Sequence, residues 1–286
     1  MPTVEYAVIL PLPLPNISNL RFAAFDMDGT LLGPDHDMHP ENIAALHLLR
    51  SNGIHVLLAS GRNHDNISGW YRRLGLTGPI VSGNGALVRD FASGITIKEA
   101  TVSPQTALDV LALGRQIGIT QVVDHTDGRA VVERQTYWGD IVGERCGAPL
   151  GIVDDIDDLC ATGPRKLLWV DDGETIAYWE QELSRLLAGK AHICVSGAEY
   201  LEILPAATHK GSGVMAAADY LGFRGDETLS AGDSDNDAEM LAWATYGLAM
   251  PHATQKAKAS AWITLPDGPP ETLIARFVEK LLHQQK

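Results

Sequence analysis

Two textures alternate along the chain. From residue 20 to about 83, short apolar runs alternate with segments whose apolar residues recur every three or four positions. Phe22–Phe25 is the first run. "HPENIAALHLLRSNG" follows, with Ile43, Leu46 and Leu49/Arg50 at helical spacing, Pro40 near the first turn and Gly53 at the stop. "IHVLLAS" is a near-continuous apolar run ending at Ser60, which predicts a parallel strand covered on both faces. A helix ("NHDNISGWYRRLG") and a short strand ("PIVSG") complete a βαβαβ pattern, half of a doubly wound α/β sheet.

Beyond residue 84 the texture changes. "GALVRD", "GITIKEATV", "QVVDHTDGRAVVERQTYW" and "KLLWVDDG" alternate and carry turn signals, with helical stretches near 104–117 and 174–188 between them. This predicts an α+β module built on an antiparallel sheet. After "EYLEILPA" the first texture returns: a helix over 211–222, the strand "TLSAGD", a helix over 236–244, the strand "YGLAM" and a last helix near 271–283. The expected organisation is one α/β core, residues 20–83 plus 205–286, with an inserted α+β domain over 84–204 and a Pro-rich extension over 1–19.

Composition narrows the partners. The formal net charge is −14, which argues against nucleic acid or an anionic membrane surface. An anionic substrate would therefore need local positive charge at its site. Cys146, Cys160 and Cys194 are odd in number and form no CxxC pair, so they are expected to be plain thiols in a reducing compartment. The N-terminal "VEYAVILPLPLP" has no Lys or Arg before Arg21, and Pro11, Pro13 and Pro15 interrupt it, so it does not predict an export signal. No stretch is long and apolar enough to span a bilayer, and the expected location is cytoplasmic. Oligomeric state, monomer or dimer, is left open.

Several core strands end on polar residues. The first ends at Asp26, with Asp28 two further on; the second ends at Ser60; "TLSAGD" ends at Asp233. In open parallel sheets ligands bind beyond the carboxyl ends of the strands, so these groups should meet at one rim, joined by Lys210 at a helix start. Three or four crowded carboxylates need a hard cation, and Mg²⁺ suits an all-oxygen ligand set. That also explains why a buried strand ends on two mutually repelling aspartates.

The motifs "DMDGT" (26–30), "SGR" (60–62), "HKG" (209–211) and "GDSDNDAEML" (232–241) together resemble the four ordered motifs of the haloacid dehalogenase (HAD) superfamily. "NGA" (84–86) and the insertion after it resemble the Cof-like branch, sugar-phosphatase-like proteins with an inserted α/β cap. The resemblance implies a HAD-like, Rossmann-like core and a Mg²⁺-dependent phosphatase acting on a small phosphorylated metabolite, such as a sugar phosphate or cofactor phosphate. It implies Asp26 as the nucleophile that forms an aspartyl-phosphate and Asp28 as general acid and base. Ser60, Gly61, Lys210 and Asn236 would bind the phosphoryl group, with Arg62 and Asn84 as further contacts. Asp26, the Asp28 backbone carbonyl and Asp233 would hold the metal, with Asp237 a ligand or the support of one. Alternatives on the same fold are a phosphomutase or phosphotransferase using the same nucleophile, and a non-catalytic phospho-ligand-binding protein.

Plainer readings exist for each residue. A lone DxDG is a turn sequence, Ser60 could cap a helix, Arg62 could form an ion pair, and Lys210 alone would be a surface lysine. "DSDNDAE" has the alternating acids of a calcium loop, but Ala238 and Ala244 stand where that loop needs Gly and Glu. Two positions depart from the family pattern. His209 precedes Lys210, and "AMPHAT" (249–254) places Pro251 and His252 where relatives carry "MGNA". Within the insertion, His125, Asp127, Arg129, Trp138 and Trp169 are polar or aromatic residues that could face a substrate.

Overall fold

The computed structural model describes residues 16–146 and 149–283, so the Pro-rich extension up to residue 15 lies outside the described residues. The chain opens with β1 (Phe22–Phe25), α1 (Pro40–Ser51), β2 (His55–Leu58), α2 (His64–Leu74) and β3 (Pro79–Ser82). Two further strands follow, β4 (Leu87–Asp90) and β5 (Thr96–Glu99). The inserted module holds α3 (Pro104–Ile117), β6 (Thr120–Asp124), β7 (Ala130–Val132), α4 (Tyr137–Cys146), β8 (Gly151–Ile152), α5 (Ile156–Ala161), β9 (Lys166–Val170), α6 (Gly173–Leu186), β10 (Ala191–Gly197) and β11 (Tyr200–Pro205). The chain then returns through α7 (Lys210–Leu221), β12 (Thr228–Gly232), α8 (Ala238–Trp243), β13 (Tyr246–Ala249), α9 (Gln255–Ser260), β14 (Ile263–Thr264) and α10 (Leu273–His283).

The core sheet runs β14-β13-β12-β1-β2, all parallel. Successive side chains of a strand point to opposite faces, and both faces of this sheet are covered. Ala23, Phe25, Val56 and Leu58 pack with residues of α1, α2 and α10, such as Leu46, Tyr71 and Phe277. Phe22, Ala24, Leu57 and Ala59 pack with Val214, Ala217 and Met240 of α7 and α8. That is why the core strands read as unbroken apolar runs.

The inserted sheet runs β10-β11-β9-β6-β7-β8, antiparallel apart from the β7–β8 pair. One of its faces packs on α3, α5 and α6 through Leu167, Trp169, Leu201 and Ile203. The opposite face carries Val122, Leu168, Val170 and Tyr200 against Val142 of α4.

The division expected at residue 83 is displaced. β4 pairs antiparallel with β3, β5 pairs antiparallel with β4, and Val88 packs among Phe22, Leu57 and Val214 of the core. Alternation reveals an antiparallel strand but not which sheet it joins, so 84–99 reads like the insertion while packing with the α/β unit. The helix expected over 236–244 is a 3-10 turn, Asp235–Asp237, followed by α8. Helices α4, α5 and α9 escaped the sequence reading; the latter two are a turn and a half each, too short for a periodic signal. Among the described residues no helix is long and apolar enough to cross a membrane. The three cysteines are free thiols, with Cys160 and Cys194 buried and inert; burial pushes Cys160 up to about 11.

Candidate active site

The site forms where β1, β2 and β12 end. Asp26 follows β1 and is nearly inaccessible, its backbone N–H donating to the Ala231 carbonyl of β12 at 3.0 Å. The chain then turns sharply at Gly29, whose φ is +80°. A β-carbon there would lie 2.6 Å from Oδ2 of Asp233, so glycine lets the second acidic loop sit directly on the first. Thr30 closes the same junction by donating from Oγ1 to Asp233 Oδ1 at 3.3 Å.

Lys210 is the first residue of α7 and is fully buried. Its ammonium donates to Asp26 Oδ1 at 2.6 Å and to Asp237 Oδ1 at 2.5 Å. A cation at a helix N-terminus opposes the helix dipole, so this placement depends on the two carboxylates. Burial alone would lower its pKa, but Asp237 and Asp26 raise it well above the usual lysine range. His209 supplies the helix cap: its Nδ1 accepts from Ser212 N–H at 3.1 Å, while its own N–H donates to Ser212 Oγ at 3.1 Å. The departure before Lys210 is thus a capping device.

Asp237 is completely buried and has both oxygens engaged. Oδ1 faces Lys210, and Oδ2 accepts from the backbone N–H groups of Asp233 and Ser234, each at 3.0 Å. Asp26, Asp233 and Asp237 offer carboxylate oxygens that all lie within 4.8 Å of one another. Burial, with Asp237 beside it, pushes Asp233 up to about 6, and burial with the neighbouring acids raises Asp26 well above its ordinary value. When all three carboxylates are ionised, they outnumber the one ammonium by two negative charges. An all-oxygen donor set with that deficit fits a divalent hard cation. Among the described residues no donor reaches Oδ2 of Asp26.

Asp28 behaves differently. Arg62 holds it with a two-pronged contact, Nε to Oδ2 at 2.8 Å and Nη2 to Oδ1 at 2.6 Å, and His36 lies 3.4 Å away. Burial raises this carboxyl, but the Arg62 hydrogen bonds and charge outweigh burial and hold it below its usual range. Ser60 is buried and accepts the Arg62 N–H at 3.2 Å. The Gly61 carbonyl ties the core to the cap, accepting from Lys166 Nζ at 2.9 Å. Asn84 sits in the left-handed region at φ 51°, buried, and its Oδ1 accepts from Asn236 Nδ2 at 3.0 Å. The other amide ends, Asn84 Nδ2 and Asn236 Oδ1, are buried with no partner among the described residues. His252 Nε2 lies 2.9 Å from the Gly29 carbonyl and 3.8 Å from Asp233 Oδ2.

One cavity joins Asp26, Asp28, Ser60, Gly61, Arg62 and Asn236 to the α4-side face of the cap, and Val142, Arg145, Lys166, Leu168, Tyr200 and Glu202 form its roof. Lys210 and Asp233 abut it through Asp26. None of His125, Asp127, Arg129, Trp138 or Trp169 lines it. Trp169 points to the far face and donates to Gln121 Oε1 at 2.8 Å, while Asp127 pairs with His125 and Arg129 at a surface turn. The roof residues were missed. Their only signal is the two-residue period of β9, which sets Lys166 and Leu168 on the face opposite Trp169.

The haloacid dehalogenase-like hydrolase family matches residues 23–268. The chain belongs to that family. It is 32% identical over 247 residues to the HMP-PP phosphatase of Serratia proteamaculans (strain 568), covering 84% of this chain and 86% of the relative. It is 30% identical over 240 residues to the HMP-PP phosphatase of Cronobacter sakazakii (strain ATCC BAA-894), covering 82% and 85%. A HAD/COF-like hydrolase from Plasmodium vivax superposes with a TM-score of 0.84 at 22% identity, over 94% of this chain and 97% of that one. At that identity the likeness speaks for the fold.

Proposed function

We propose that this chain hydrolyses a small phosphorylated metabolite, of the cofactor-phosphate kind, through a covalent intermediate on Asp26 with Mg²⁺ bound. That it is a phosphoric monoester hydrolase of the HAD type rests on the family match and on relatives named as phosphatases. The observation that carries the mechanism is the buried Asp26–Lys210–Asp237 chain with Asp233 beside it.

Asp26 has one oxygen anchored by Lys210, which leaves the second to attack phosphorus. As the Asp26–phosphorus bond forms, the bond to the leaving oxygen breaks; water later releases phosphate and regenerates the carboxylate. Asp28 gives a proton to the leaving oxygen and later takes one from the attacking water. Its clasp by Arg62 favours the ionised form, so Arg62 must release it to the substrate's negative charge and Asp28 must take up a proton from solvent before it acts as an acid. Ser60, Gly61, Lys210 and Asn236 surround the transferring group, with Arg62 and Asn84 beyond them, and supply donors to its equatorial oxygens. Mg²⁺, held by Asp26, Asp233 and the Asp28 carbonyl with Asp237 supporting the loop, would supply positive charge against the phosphoryl oxygens. The cap excludes water from the reacting centre.

The test is a phosphate-release screen over phosphorylated metabolites with Mg²⁺, run beside Asp26→Asn. Loss of a nucleophile should lower kcat by about a thousand-fold or more. Turnover that survives the substitution would remove Asp26 from its assigned role.

A further inference from the structure

The roof of the cavity carries a cation that the chemistry above does not use. Arg145, near the end of α4, is partly buried, and its guanidinium lies over the Tyr200 ring, 4.5 Å from the centroid. Among the described residues no carboxylate pairs with it, although the protein is strongly acidic. The other cations of the site are engaged: Lys210 by Asp26 and Asp237, Arg62 by Asp28, and Lys166 by Glu202 at 2.8 Å. A guanidinium held over a ring face through its cationic carbon still has N–H donors to offer, and their fork matches an oxyanion.

Its position says where such an oxyanion belongs. Arg145 lines the same cavity as Asp28 and Arg62, and its charge acts on the Asp28 carboxyl. Asp28 is the group assigned to the departing oxygen, so Arg145 stands on the leaving-group side of the cavity. Val142 and Leu168 line the same roof and offer apolar contact to a carbon skeleton. On the phosphatase reading, we propose that Arg145, seated on Tyr200, binds a second oxyanion carried by the leaving group. The substrates selected are then phosphorylated metabolites bearing another phosphate or a carboxylate near the scissile bond. A metabolite whose leaving group is neutral would leave Arg145 unpaired.

The test is calorimetry on full-length Asp26→Asn with Mg²⁺, using phenyl phosphate, phenyl diphosphate and 4-carboxyphenyl phosphate as ligands. One of the two ligands carrying a second oxyanionic group should bind about ten- to hundred-fold tighter than phenyl phosphate, the range of one charge-assisted contact. Which of them does so identifies the oxyanion. Adding Arg145→Gln should bring that ratio close to one, while Arg145→Lys, which keeps the charge but loses the fork, should retain part of it. Arg129→Gln, an equal charge change at the exposed surface, should leave the ratio intact. Equal affinity for all three ligands, or a preference that survives Arg145→Gln, would overturn the proposal. Phosphate accumulating in the Asp26→Asn samples would instead overturn the nucleophile assignment, so the two failures are separable.

Discussion

Asp26 and Asp28 stand two positions apart, yet their environments push them in opposite directions. Asp26 is raised by burial and by its acidic neighbours; Asp28 is lowered because Arg62 grips both of its oxygens. A depressed carboxyl contributes stability above its unfolded pKa of about 3.9, and that contribution is lost as pH falls through the depressed folded value. Arg62→Ala removes it. The expected loss is about 1–2 kcal/mol near neutral pH, read from urea unfolding, and it should shrink well below the unfolded pKa. A loss of the same size in strong acid would mean that Arg62 stabilises by packing rather than by this ion pair.

At the scale of elements, the loops are as constrained as the strands. The turn after β1 works only because Gly29 combines a positive φ with the absence of a β-carbon where Asp233 lies. Gly29→Ala should cost more than the roughly 1 kcal/mol of an unfavourable φ, because Asp233 must also move. Thermal unfolding with and without Mg²⁺ should show a lower melting temperature and a weaker response to the ion; an unchanged response would mean Asp233 is not displaced. The core elements were legible because a parallel strand covered on both faces has to be apolar throughout, and the polar residue ending it marks the rim. Asp26, Asp28, Ser60, Lys210 and Asp233 could therefore be located from strand and helix ends. Lys166, Tyr200 and Glu202 could not. On an antiparallel strand half the residues are polar anyway, and only the folding of one module over another turns that face into a roof. His209 and His252 departed from the pattern without saying why; their partners, Ser212 and the Gly29 carbonyl, supply the reason.

For the molecule as a whole, the proposed metal site would tie stability to the ion. Asp233 is raised to about 6, so in the metal-free protein the folded state binds a proton more tightly than the unfolded chain does. Stability from this group therefore falls as pH rises from the ordinary carboxylate range through about 6, and it is least favourable near neutrality. A cation that binds only the folded cluster offsets this: at a hundred times its dissociation constant it adds about 2.7 kcal/mol. In a chain of this size that is a rise of roughly 5–10 °C. Asp233→Asn acts on both sides of the balance. It removes a buried negative charge, so the metal-free protein should melt higher near neutral pH, and it replaces an anionic carboxylate ligand by a neutral amide, so most of the Mg²⁺-induced rise should disappear. Melting curves of the two proteins, each with chelator and with saturating Mg²⁺, read both changes. If the variant lost stability without metal and kept the full rise with it, Asp233 would be a structural carboxylate, and the ion would have to be held by Asp26, Asp237 and backbone oxygens alone.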